Sequence, residues 1–126
     1  MNTAAQWDDF NYLAAGHYAL ANPAHPSHVE YVFQGEMHSM RGHPHPPGMA
    51  WILALCMLVL GPFREIPFHA AFLIFSIVAG LSMLMLARRF VPGGAVEATL
   101  LFLAVPASMV SGTSFESDMT LLAFWT

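Results

Sequence analysis

Two adjacent carboxylates, Asp8 and Asp9, open the stretch WDDFNYLAAGHYAL, and a His- and Pro-rich segment ending in RGHPHPPGMAW follows them. This is the only long polar region of the chain, so its residues are the first candidates for chemistry. His17, His25, His28, His38, His43 and His45 interleave with Met37, Met40 and Met49. Imidazoles and thioethers suit a soft or borderline metal such as copper or zinc, and the pairs His25/His28 and His43/His45 could share an ion. Against that reading, the spacing is irregular, no Cys contributes and Pro interrupts each pair. The acid pair has two readings as well, a functional one and a helix start favoured by the helix dipole.

The rest of the chain must position these residues, and its composition says in what solvent. Of 126 residues, 56% are hydrophobic and 10% charged, and the mean hydropathy is +0.54. Such values lie outside the range of soluble globular domains and point to an all-α membrane protein. The net charge is −4, the only fixed cations are Arg41, Arg64, Arg88 and Arg89, and there is no Lys. That gives no basic surface for a nucleic-acid backbone, so membrane lipids are the expected surroundings and nucleic acid is not an expected partner. The single Cys56 offers neither a disulfide framework nor a Cys-based metal site. No basic segment followed by an apolar one marks a signal peptide at the N-terminus.

Taken in order, residues 8–22 carry Phe10, Leu13, Ala14, Tyr18 and Ala21 at helical spacing, with the acids in the first turn and Asn22-Pro23 as the stop. The expectation is an amphipathic helix lying at the membrane interface. Residues 23–47 read as an irregular loop with a brief extended piece at VEYVF. The apolar run Met49–Leu60 is twelve residues long, short of the ~20 needed to span, and is expected as a second interfacial helix over about 48–61. Residues 1–67 then form an extracytoplasmic loop region. Transmembrane helices are expected over about 68–90 and 95–115, with Pro106 as a kink, and an incomplete one over 119–126.

Arg88 and Arg89 anchor the first of these on the cytoplasmic side by the positive-inside bias. With 48–61 lying flat, Asp8, Asp9, His45, Glu116 and Asp118 all face the extracytoplasmic side. His69 reads as a packed or interfacial side chain, and Trp7, Trp51 and Trp125 as interfacial aromatics.

Several motifs in this order resemble a known family. The acid pair followed by Tyr12, the HPPG of His45–Gly48 opening an apolar helix, the helix closing in LARRF, and SGTSFESDMTLLAFW are together similar to the N-terminal part of the GT-C membrane glycosyltransferases. The relatives are proteins like the protein O-mannosyltransferases and the aminoarabinose transferases of lipid A. The resemblance implies an integral enzyme of the bacterial inner membrane that takes sugar from a polyprenyl-phosphate donor and works on the extracytoplasmic face. It also implies that this sequence is a piece of a longer chain, inactive by itself.

Carried over residue by residue, Asp8 matches the first acid of the family's outer-loop motif, the usual catalytic candidate, and Asp9 its neighbour. His45 falls in the loop-end motif near the donor phosphate. Asp118 matches a cavity acid or metal ligand at the outer end of a later helix. The aminoarabinose transferases have an acid before that basic residue, where this chain has Pro44.

Inverting glycosyl transfer to a hydroxyl needs a carboxylate to accept the proton, and cations, hydrogen-bond donors or a metal to stabilise the departing phosphate. Asp8 is the candidate base, and Arg41 and His45 are the candidates to receive phosphate. A divalent metal ion is the one cofactor allowed for. The alternatives are a small His/Met-rich metal-binding membrane protein and a structural membrane protein without catalysis.

Overall fold

The computed structural model describes residues 7–33, 35–42, 47–106, 108, 115 and 117–125. The chain is largely helical, as expected for an all-α membrane protein, and carries one small β-hairpin in addition. It divides into two compact units, residues 1–68 and 69–126.

The first unit begins with α1, Trp7–Ala21. Asp8 and Asp9 sit in its first turn, where carboxylates favour the exposed amide groups. The Asn22 amide donates to the Tyr18 carbonyl at 3.0 Å to close the last turn, and Pro23 stops it. Two tight turns follow, with His25 N–H bonded to Asn22 O and His28 N–H to His25 O.

The brief extended piece is a two-stranded antiparallel hairpin: β1, Glu30–Phe33, pairs with β2, Glu36–Ser39, in the register Tyr31↔His38 and Val32↔Met37. Gly35 turns the chain at φ +87°, a left-handed conformation that glycine adopts without a side-chain penalty. A 3₁₀ turn over Met40–Gly42 follows, tied back by Met40 N–H to Val29 O at 2.9 Å.

Helix α2, Gly48–Leu60, starts after Pro47 and ends at Gly61 with φ 81°. It packs on α1. The buried positions are Asp9, Tyr12, Leu13, Ala15 and Ala19 on α1, and Met49, Ala50, Leu53 and Ala54 on α2. This corrects the expected apolar face of α1, of which only Leu13 is buried, while Phe10 is 62% exposed. Small residues decide the contact: a Cβ added at Gly16 would lie 2.7 Å from Leu53 Cβ. Backbones approach closely where Gly and Ala line the interface, so the small stripe of α1 is covered in preference to the bulky one.

Helix α3, Glu65–Phe90, carries 26 residues, or about 39 Å at 1.5 Å per residue. Among the described residues it alone is long and apolar enough to cross a membrane. Arg88 and Arg89 stand exposed in its last turn. In the second unit, Val91 N–H closes on Ala87 O, and a 3₁₀ turn over Pro92–Gly94 leads into α4, Ala95–Ala104. The Thr99 hydroxyl, buried, donates to Ala95 O at 2.8 Å.

The expected helix over 95–115 is interrupted. Val105 is extended, with ψ 132°, because the ring of Pro106 disfavours the helical conformation of the residue before it. The break falls at Val105, and residues 106 and 108 are helical again. Ser111, Thr113, Ser114 and Glu116 lie outside the described residues. Helix α5, Ser117–Trp125, follows with Asp118 in its first turn.

Candidate functional site

The acid pair is placed by α1. Asp9 is 5% exposed and belongs to the face turned to α2, spaced from Tyr12, Leu13 and Gly16 by three, four and seven residues. Asp8 precedes it by one position in the first turn, and its side chain lies outside the described ones. Asp9 is therefore built into the helix pair.

Arg41 stands in the 3₁₀ turn after β2, exposed, and His45 lies outside the described residues. Arg41 lines an open cleft of about 410 Å³ together with His25, Ser27, His28, Pro47 and Trp51. The His25 and His28 rings meet edge to face with centroids 4.7 Å apart. His28 is held below the usual imidazole value of about 6.5, by local desolvation first and then by the Arg41 guanidinium and the His25 ring.

Protonating His28 is harder in the folded chain than in the unfolded one. This group therefore costs stability as pH falls through the ordinary imidazole range and costs nothing above it. A ring-proton titration of the intact chain is expected to give His28 a midpoint below the usual imidazole value, and a midpoint at or above that value would contradict the placing of His28 beside Arg41 and His25.

Trp51 closes the cleft from α2, and its indole N–H donates to the Pro23 carbonyl at 2.9 Å. In the sequence this Trp reads as an interfacial aromatic, and His25/His28 as a pair that could share an ion in the alternative metal-binding reading. Here they assemble with Arg41, and the signal that could have linked them was the Pro spacing that forces successive turns at 22–28. Trp51→Phe keeps the ring and removes the donor. A loss of about 0.5–1.5 kcal/mol in unfolding free energy is expected, read by denaturant titration in detergent.

Asp118 belongs to the second unit and is exposed at the start of α5. In that unit His69 stacks on Phe115, with centroids 4.6 Å apart and planes 9° from parallel, and Phe72 meets Phe115 edge-on at 4.9 Å. His69 is thus a packed side chain, as expected. Among the described residues, no group of three or more His, Cys, Asp or Glu converges in a way that could hold a metal ion.

The model of the dolichyl-phosphate-mannose-protein mannosyltransferase family matches residues 44–126, more than half of the chain. The chain belongs to that family. No curated protein and no solved structure matches it. Membership makes it an integral membrane protein of the GT-C glycosyltransferase type, with a lipid-linked sugar as the general class of donor. The mannosyltransferase match takes in His45 and Asp118, whereas Asp8, Asp9 and Arg41 lie N-terminal to it.

Proposed function

We propose that this chain provides the acid-bearing and phosphate-receiving parts of a glycosyltransferase that moves a sugar from a polyprenyl-phosphate donor to a hydroxyl acceptor. The reaction takes place on the extracytoplasmic face of a bacterial inner membrane. The family match over residues 44–126 is the observation that carries this reading.

Asp8, in the first turn of α1, accepts the proton of the acceptor hydroxyl as it attacks the anomeric carbon. Asp9, buried against α2, fixes the turn that presents Asp8. Arg41 and His45 receive the departing phosphate, Arg41 through a guanidinium fork that matches phosphate oxygens and His45 by a hydrogen bond. Asp118 serves as a cavity acid or as a ligand to a divalent metal. Donor specificity within the polyprenyl phosphates, and the acceptor, follow from parts of the cavity other than these residues.

The test is transfer itself. Membranes containing the gene's own product are given a radiolabelled polyprenyl-phosphate sugar, with membranes lacking the product as control. Label appearing in an acceptor only where the product is present supports the reading; equal incorporation in both sinks it.

A further inference from the structure

We propose that His69 is a positioning residue: stacked on Phe115, it holds the start of α5 in the rotation that keeps Asp118 exposed. The catalytic consequence rests on the glycosyltransferase reading above, which makes Asp118 a cavity acid or a metal ligand. The placement itself rests on packing within the second unit.

Helix α5 is poorly equipped to set its own start. It has nine residues, and a helix this short takes its stability from tertiary packing because nucleation is unfavourable. Within its first turn the exposure changes abruptly: Asp118 is exposed, whereas Met119 and Thr120 are 6% and 7% exposed. Successive helical residues stand about 100° apart around the axis. A slip of one position would therefore carry Asp118 inward and Met119 outward, so something beyond the turn must fix its rotation.

Helix α3 supplies that restraint. His69, Phe72 and Phe75 follow at three-residue spacing, which makes them neighbours on one side of the helix. Phe115 is fully buried, with the His69 ring lying flat on it and the Phe72 ring meeting it edge-on. Further along α5, Phe124 meets Phe75 with ring centroids 6.2 Å apart. Asp118 stands between these two anchors, three residues after Phe115 and six before Phe124. The first anchor fixes where α5 starts and the second fixes its direction. A flat stack of rings constrains orientation as well as distance, which a contact between flexible chains does not.

The planar ring is thus the property that matters at position 69. Gln has similar reach and polarity but no ring, whereas Phe keeps the ring and lacks the nitrogens. The gene's own product is placed in nanodiscs as wild type, His69→Gln, His69→Phe and Phe115→Leu. Amide hydrogen exchange of α5, with α1 as internal reference, reads the placement. Transfer from a radiolabelled polyprenyl-phosphate sugar gives kcat and the donor KM. His69→Gln is expected to speed exchange in α5 and to lower kcat roughly 3- to 10-fold with donor KM unchanged, the factor that one aromatic pair converts to. His69→Phe is expected to restore both. Phe115→Leu is expected to match His69→Gln, and the double variant to lose no more than either single one.

Exchange in His69→Gln equal to that of the wild type overturns the proposal. So does a His69→Phe product as impaired as His69→Gln, which would assign the effect to the imidazole nitrogens. Faster exchange with unchanged kcat overturns the positioning role and leaves a packing contact. If His69→Gln fails to fold, Phe115→Leu makes the same comparison from the other side of the stack. A wild-type product that transfers no sugar sinks the transferase reading, while the exchange pattern still decides whether His69 holds α5.

Discussion

Replacing Asp8 by Asn is expected to lower sugar transfer by roughly 10²–10⁴-fold, the usual contribution of a general base. The amide has nearly the shape of the carboxylate and keeps the first turn of α1, but it cannot take the proton of the attacking hydroxyl. Donor binding is therefore expected to survive while turnover falls, which separates the loss of a base from the loss of a fold. Asp9→Asn tests the contrast. That carboxylate is buried on the α2-facing side of α1, so its replacement is expected to show first as a lower melting temperature. An Asp8→Asn product that transfers sugar within about tenfold of wild type would remove Asp8 from the role of base. A matching loss of donor affinity would assign it to binding instead.

The second large effect is structural. Gly16→Ala is expected to destabilise the α1–α2 pair by about 1–3 kcal/mol, because overpacking a close contact forces backbone movement. The atom an added Cβ meets is Leu53 Cβ, at 2.7 Å. It is not the end of a flexible side chain, so rotating Leu53 cannot relieve the clash. Leu53→Ala in the same chain therefore leaves the clash in place and adds a cavity, whereas Leu53→Gly removes it. Reversible unfolding in detergent, followed for the single and double variants, is expected to show coupling with Gly at 53 and none with Ala. Equal behaviour of the two double variants would contradict the close approach.

This helix pair marks how far the sequence could be read. Membrane character and the apolar runs behind α2, α3 and α4 follow from composition and charge; the bounds of α1, α2 and α3 fall close to those expected, whereas α4 stops at Ala104, well short of 115. The apolar face of α1 did not follow. A hydrophobicity pattern ranks Phe10 and Tyr18 above Ala15 and Gly16, whereas close packing selects the small residues. Pro106 was legible as a disturbance, and the geometry of Val105 places the break one residue before it.

In the candidate site, Asp8, Asp9, Arg41, His45 and Asp118 were chosen by residue type and resemblance. Distances along the chain say nothing of burial, so the burial of Asp9 was hidden. The cleft was hidden too, because Arg41 reaches His25 and His28 only through the hairpin, whose pairing brings residues 29 and 40 together. A two-stranded hairpin of four-residue strands leaves a weak trace in a Pro-rich loop.

The central claim is that the acids and the phosphate-receiving residues share the extracytoplasmic side. Single cysteines at Asn11, Ser39 and Ser117, on a Cys56→Ser background, can be probed in intact cells with an impermeant thiol reagent. Labelling of all three from outside is the predicted result, the one expected if the chain crosses the bilayer an even number of times between Ser39 and Ser117. Labelling of Asn11 and Ser117 from opposite sides would put Asp8 and Asp118 on different faces of the bilayer and contradict that claim.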